Sequence, residues 1–505
     1  MSEPSHDATA PATPARGDAS NPVEEVKGDS CYLRGTIREE LLHDADHFDK
    51  AASQLLKFHG TYQQDDRDHR AEARSAGDGK AYMFMVRTRI PGGQLTARQL
   101  LAEIDLGDEL GNQTLRITSR QGLQLHGIRK CHLQETIRRI HEVQLTTLGA
   151  CGDVNRNVMC CPAPYANPLY REIQQLAALI AGHFASRSGA YHEIWLQEWE
   201  GNQPQGEKIP WAGQDEFTVE PIYGRHYLPR KFKIGIALPH DNCIDVYTHD
   251  VGLIAVPDGD RVAGYNVLVG GGMGVTPSAK KTFPAVGKKL AYVPTDQILD
   301  VLTAIVKVQR DFGNRGDRKV ARLKYLIANW GIPLFRAKVE EYLGAELREA
   351  TGVDVTAFDD HMGWAEQGDG RWFYGLNVEN GRIQDSAGRR LKSALREICR
   401  ELQPGIRLTS HQSILFSDIA AEHRPRLESM LRDHGVPLSH EISQVRRWSM
   451  ACVAWPTCGL SITEAERALP GIVDQLEVEL ERLGLSSEEF TVRMTGCPNG
   501  CARPY

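Results

Sequence analysis

From Tyr32 onward, short apolar runs of strand character alternate with longer stretches of helical periodicity. Met83-Phe84-Met85-Val86 predicts a strand, ended by Pro91-Gly92-Gly93, and a helical stretch follows from Thr96 to Ile104. Leu115-Arg116-Ile117-Thr118 starts another strand. Within 170–186, Ile173, Leu176, Leu179, Ile180 and Phe184 recur at helical spacing. Strand patterns return at 232–238 and 252–256, and Ile298 to Val308 predicts an amphipathic helix. The mixture predicts an α+β or α/β fold and excludes an all-α or all-β one. Residues 1–30 are rich in Pro, Ala, Ser and Asp and have no apolar period, so a disordered tail is expected, with order beginning near Tyr32.

The pattern also repeats. Leu115-Arg116-Ile117-Thr118-Ser119-Arg120-Gln121 returns as Ile406-Arg407-Leu408-Thr409-Ser410-His411-Gln412, an offset of 291. The same offset carries Arg156–Cys161 onto Arg447–Cys452. A looser match joins Met83–Leu95 to Phe373–Ile383. Two matches at one offset predict a duplicated module whose halves pack about a pseudo-twofold axis, with a ligand between them touched by corresponding strands.

Composition narrows the picture. The 505 residues are 41% hydrophobic and 25% charged, enough for several globular cores. No apolar window approaches the ~18 residues that a membrane span needs. A net charge of −7 gives no support to nucleic-acid binding, although 59 Lys and Arg leave room for local basic clusters. The 11 cysteines are odd in number, and residues 1–30 hold six acids, two bases and no apolar signal core. A reducing cytoplasm is therefore expected, where clustered cysteines point to metal or catalysis.

Cys452 and Cys458 form a C-x5-C and Cys497 and Cys501 a C-x3-C. Two close thiolate pairs can hold zinc or an iron–sulfur cluster; the wide first spacing favours a cluster. Pro456 and Pro498 stiffen the loops, and Gly496 and Gly500 permit close backbone approach. The first copy of the repeat keeps Cys161 but has Asn167 where Cys458 would stand, so only the second copy is expected to bind a cluster.

These cysteines, with the Thr495-Gly-Cys-Pro-Asn-Gly-Cys-Ala-Arg-Pro-Tyr505 segment, resemble the signature of the siroheme-containing sulfite and nitrite reductases. The resemblance runs from about Tyr32 to the last residue and includes Phe58–Arg67, Arg87–Gly93, Asn155–Asn157, Leu228–Lys233, Val269–Gly274 and Leu323–Tyr325. It implies an α+β fold with two ferredoxin-like half-domains at 31–150 and 341–435, a siroheme and substrate domain at 151–340, and a cluster domain at 436–505. The family continues beyond this motif, so the cluster domain is expected to be incomplete here. The implied cofactors are siroheme and a 4Fe–4S cluster on Cys452, Cys458, Cys497 and Cys501, the last also bridging to the siroheme iron.

Siroheme is a polycarboxylate and sulfite a dianion, so both need cations, for which Arg is well shaped. Residues i and i+2 of a strand share a face, so Arg87 with Arg89, and Lys231 with Lys233, are expected to converge. By resemblance Arg87, Arg156, Lys231 and Lys233 hold the substrate anion. Arg116, Ser119, Arg120, Gln124, His126, Lys324 and Gln412 match siroheme contacts. The Gly270–Gly274 loop offers amides to a carboxylate. Residue type alone makes neither His126 nor His226 a general acid. Lys231 and Lys233 are the better proton donors, because burial among cations lowers a lysine pKa.

The implied activity is the six-electron reduction of sulfite to sulfide in assimilatory sulfur metabolism. Nitrite reduction by the same cofactors and a non-catalytic metal-binding scaffold are the alternatives. The Val-x-x-Pro-Thr filling of the first cysteine pair resembles sulfite reductases. No flavin or nicotinamide motif appears, so electrons are expected from another protein. Tyr325–Ile332 and Gly363–Gly370 resemble the ferredoxin-dependent branch more than the flavoprotein-partnered one.

Overall fold

The computed structural model describes residues 21–77, 79–191, 199–200, 203–204, 220–276 and 278–502. The first twenty residues of the expected tail, and Arg503 to Tyr505 of the C-terminal motif, lie outside them.

Two five-stranded antiparallel sheets carry the duplication. The first runs in the order Thr61–Asp65, Tyr82–Thr88, Leu123–Ile128, Leu115–Ile117, Arg382–Ile383. The second runs Gly363–Glu366, Trp372–Leu376, Ile414–Ile419, Gly405–Leu408, Gln94–Thr96. Each sheet is completed by a strand lent from the other half. Leu95 pairs with Ile406, and Arg382 with Arg116. The exchange ties the halves through backbone hydrogen bonds and covers an edge that each would otherwise expose.

The offset of 291 read from the sequence holds in space. Leu123–Ile128 falls on Ile414–Ile419, and helix Leu133–Glu142 on helix Arg424–Asp433. Both lent strands leave a tight turn at a left-handed glycine. A Cβ on Gly93 would stand 2.3 Å from the Leu408 carbonyl oxygen, and one on Gly381 2.2 Å from that of Ile117. Only glycine fits either crossing.

A third sheet lies between the halves in sequence: Lys288–Pro294, Arg261–Val269, Val251–Asp258, Ile234–Ala237, Met159–Cys160. Its last two pairings are parallel. Helices Pro168–His183 and Ile298–Phe312 bury their apolar stripes in the same main core. Ser449–Ala451 and Val492–Met494 make a separate parallel pair with its own small core around Ala454, Ala465 and Val473.

The register of that pair relates it to the third sheet. Cys160 faces Ile236, and Ala451 faces Met494. Cys161 and Cys452 each follow directly, and Cys243 and Cys501 each come seven residues after the facing residue. Cys161 and Cys243 are thus the structural counterparts of Cys452 and Cys501.

The chain is ordered earlier than its composition suggested. Pro22–Gly28 is a helix, capped by the Asn21 side chain on the Val23 amide and started by Pro22. Lys27 anchors it, donating to the Leu228 carbonyl at 2.8 Å and pairing with Glu24 at 2.5 Å. Contacts from Lys27 to Leu228 and Asp153, and from Glu24 to Arg315, hold down a segment whose apolar content is too low to announce it.

Candidate functional site

A cavity of about 510 Å³ opens between the first half-domain, the third sheet and the cysteine loops. Its floor is a row across three adjacent strands. Arg87 faces Gln124, and Gln124 faces Arg116, so all three side chains leave the sheet on one side. With its oxygen turned to Arg87, the Gln124 amide accepts from Nε at 3.2 Å and Nη2 at 2.6 Å. His126, two residues along, is buried on that face, and neither ring nitrogen has a hydrogen-bond partner. Arg120 donates to the Ile234 carbonyl at 2.9 Å, which places it against the third sheet.

Lys231 and Lys233 reach the cavity from the segment before strand Ile234–Ala237, with Phe232 turned the other way into the core. Burial, reinforced by neighbouring cations, pushes both ammonium groups well below the usual lysine range. For Lys231 these are Arg322, Arg230 and Arg156; for Lys233 they are Lys231, Arg120 and Arg322. Arg156 is fixed by bonds from Nε and Nη2 to the Gly152 carbonyl at 3.1 and 3.0 Å.

The expected convergence therefore holds for one pair and fails for the other. Arg89 does not line the cavity: the strand ends at Thr88, and Arg89 turns to the Ala181 carbonyl at 2.7 Å. Lys324 and Gln412 do not line it either. Lys324 donates to the carbonyls of Gly272, at 3.0 Å, and Gly274, at 2.9 Å, shaping that loop. Gln412 donates to the Ala451 carbonyl at 3.0 Å, just before Cys452. His226 packs against Gly28, away from the cavity.

The opposite wall carries Cys452, Cys458, Cys497 and Cys501. The Gly496 amide donates to Cys452 Sγ at 3.3 Å and the Asn499 side-chain amide to Cys497 Sγ at 3.2 Å. Burial raises the Cys452 and Cys458 thiols. The nearby Cys501 raises both further, and Cys497 adds to the effect on Cys458. Four cysteines on one wall, with N–H donors aimed at Cys452 and Cys497, are suited to a bound metal centre, which would neutralise thiolates. The two walls are joined: Arg116 Nη2 donates to the Ala451 carbonyl at 2.9 Å, and Ser119 Oγ to that of Cys501 at 3.1 Å.

Sequence reasoning missed Lys57, Tyr62, Asp153 and Arg318, which also line the cavity. Among the described residues of its lining, nine are Lys or Arg and one, Asp153, is a carboxylate. Burial alone would raise the Asp153 carboxyl, but Lys27 and Arg318 hold it far below the ordinary range. Arg318 is 2.7 Å from it, so its charge is already spent within the wall. A buried cationic surface of this excess fits a polyanion and suits no neutral ligand.

Comparison with known proteins places this geometry. The model of the nitrite/sulfite reductase ferredoxin-like half domain matches residues 76–143 and again 365–434, the two duplicated halves. That of the nitrite and sulphite reductase 4Fe-4S domain matches 177–347. The chain belongs to the nitrite and sulphite reductase family. Members of this family carry siroheme and a 4Fe–4S cluster, and the cationic wall and the four-cysteine wall fit that pair of groups. The chain is 44% identical over 491 residues to the sulfite reductase [NADPH] hemoprotein beta-component of Staphylococcus saprophyticus, covering 96% of this chain and 84% of that one. It is 45% identical over 494 residues to the sulfite reductase [ferredoxin] of Synechococcus elongatus, covering 96% and 78%. The solved structure of the Mycobacterium tuberculosis NirA protein superposes with a TM-score of 0.77 at 27% identity, over 96% of this chain and 82% of that one. No helix among the described residues of this reductase is long and apolar enough to cross a membrane.

Proposed function

We propose that this reductase converts sulfite to sulfide with electrons from reduced ferredoxin, and that it serves assimilatory sulfur metabolism. The observation that carries the reading is the shared cavity, with an unbalanced cationic wall facing four cysteines. Cys452, Cys458, Cys497 and Cys501 would hold the 4Fe–4S cluster. Arg116, Ser119, Arg120, Gln124 and His126 would hold siroheme, with Arg116 and Arg120 taking its carboxylates. These groups supply the one-electron steps, which side chains cannot perform.

The chain's own residues do the rest. Arg87, Arg156, Lys231 and Lys233 bind the substrate anion and screen its charge as electrons arrive. Sulfite to sulfide takes six electrons, breaks three S–O bonds and releases three waters, so each departing oxygen needs two protons. Lys231 and Lys233 stand at the wall with ammonium groups weakened by burial, which makes them readier proton donors than exposed lysines. Arg156, held above the usual guanidinium range, keeps its charge throughout.

The test is sulfite-dependent oxidation of reduced ferredoxin with sulfide measured. One sulfide per six electrons is expected, with turnover falling as salt rises, because ferredoxin docking is electrostatic. Nitrite turnover at higher kcat/KM, or activity only with NADPH and a flavoprotein, would overturn the reading.

A further inference from the structure

Outside the cavity, a second set of metal-ligating side chains converges in the interior. Cys161 follows strand Met159–Cys160, Asp241 and Cys243 follow Ile234–Ala237, and His361 precedes Gly363–Glu366. All four are buried, and one donor atom from each lies within 4.8 Å of the others. Cys161 Sγ is 2.8 Å from Asp241 Oδ2 and 3.2 Å from His361 Nε2, and His361 Nε2 is 3.1 Å from Asp241 Oδ2.

We propose that Cys161, Asp241, Cys243 and His361 bind one structural Zn²⁺. A tetrahedral zinc with Zn–S of about 2.3 Å and Zn–N/O of about 2.0–2.2 Å has ligand–ligand edges of roughly 3.3–3.8 Å. The donors here already stand near that spacing. Two thiolates, an imidazole and a carboxylate make the mixed, borderline-soft set that zinc takes, and full burial makes a closed site with no open position. Binding would displace the thiol protons of both cysteines and take His361 as neutral imidazole.

Three further observations point the same way. Cys161 and Cys243 occupy the structural positions of Cys452 and Cys501, so the duplicated scaffold presents cysteines for metal twice. The backbone of His361 is left-handed, with φ 60°, a conformation rare for a non-glycine residue, and it delivers the ring to the site. Its other nitrogen, buried without a hydrogen-bond partner, faces Asp359 Oδ2 at 3.7 Å, the place of a carboxylate that orients a metal-bound imidazole. Four donors crowded together in this way fit a single ion.

The site would pin three segments, one of them the lead-in to the second half-domain. The test is metal analysis of the holoenzyme purified from zinc-supplemented medium, with X-ray absorption at the zinc edge. About one zinc per chain is expected, with sulfur near 2.3 Å and nitrogen or oxygen near 2.0–2.1 Å. Cys243→Ser and His361→Gln should lose the zinc while iron stays at the wild-type level. The absorption measurement needs no variant, so a folding defect leaves the test intact. Wild-type protein with no stoichiometric zinc, zinc in a shell without sulfur, or undiminished zinc in either variant would overturn the proposal; the four side chains would then be a hydrogen-bonded set only.

Discussion

On the inner faces of the two half-domains, the same register carries different residues. In the first half the cross-strand row is Arg87, Gln124 and Arg116; in the second, the equivalent places hold Gly375, Leu415 and Arg407. Where Arg87 looks into the cavity, the second half has chain: a Cβ on Gly375 would stand 1.9 Å from the His361 carbonyl oxygen. That crossing segment, with Tyr165 packed edge-on to Phe373 at 5.3 Å, occupies the space above the second sheet. The duplication supplied two concave faces. One kept two cations in this row and stayed open; the other has only Arg407 and was filled. An open buried face needs charge to be worth keeping, because only a bound anion repays the desolvation of so many cations.

The largest effect on turnover should come from breaking the cysteine wall. Cys452→Ser or Cys497→Ser is expected to lose iron and acid-labile sulfide together, and with them all reduction of sulfite. Cys161→Ser, at the equivalent place in the first copy, should keep both. Iron and sulfide assays on the purified variants decide it; full retention in the Cys497 variant would remove that residue from the ligand set.

Next in size is the substrate wall. Arg156→Ala or Lys231→Ala should retain siroheme, read from its visible spectrum, and lose sulfite kcat/KM. A charge-assisted hydrogen bond is worth about 1.5–3 kcal/mol, so a loss on the order of tenfold to a hundredfold follows from binding alone. Arg407→Met, in the filled half, should leave sulfite kinetics unchanged. Wild-type turnover in the Arg156 variant would refute the anion-binding role.

Much of this difference was legible in the sequence. The repeat at one offset located both halves, the paired cysteines located one wall, and Lys231-Phe232-Lys233 located part of the other, because each is a local pattern with a period or spacing. Arg89 misled because the two-residue alternation was carried past the end of its strand. The strand exchange was invisible: Gln94–Thr96 and Arg382–Ile383 are too short for any periodicity, and register between distant segments leaves no local mark. Cys161, Asp241, Cys243 and His361 are strung over two hundred residues: the parallel pairing of two strands brings the first three together, and His361 arrives from the lead-in to a strand of another sheet. Helix Pro22–Gly28 did carry a start signal, Asn21-Pro22 followed by Glu24 and Glu25, which composition outweighed.

The smallest effect on turnover concerns a core position at which the halves also differ. Glu103 is buried in helix Ala97–Glu109, bonded to the Thr88 hydroxyl, with its second oxygen unpartnered. The equivalent residues in the second half are Ala394 and Leu376, both fully buried and apolar. Burial pushes the Glu103 carboxyl up from its ordinary 4.5 to about 7, against the opposing Thr88 bond. Its folded value lies above its unfolded one, so its contribution to stability is fully present below pH about 4.5 and is lost as pH rises through about 7. Glu103→Gln keeps an acceptor for Thr88 and stays neutral at every pH. Turnover should not change. Denaturant unfolding should show that the wild type loses on the order of 1–3 kcal/mol relative to the variant between pH about 4.5 and 8. A difference that is flat across this range would mean that the carboxyl is already ionised when folded, and that the polar pair in the first half tolerates charge where the second half has only hydrocarbon.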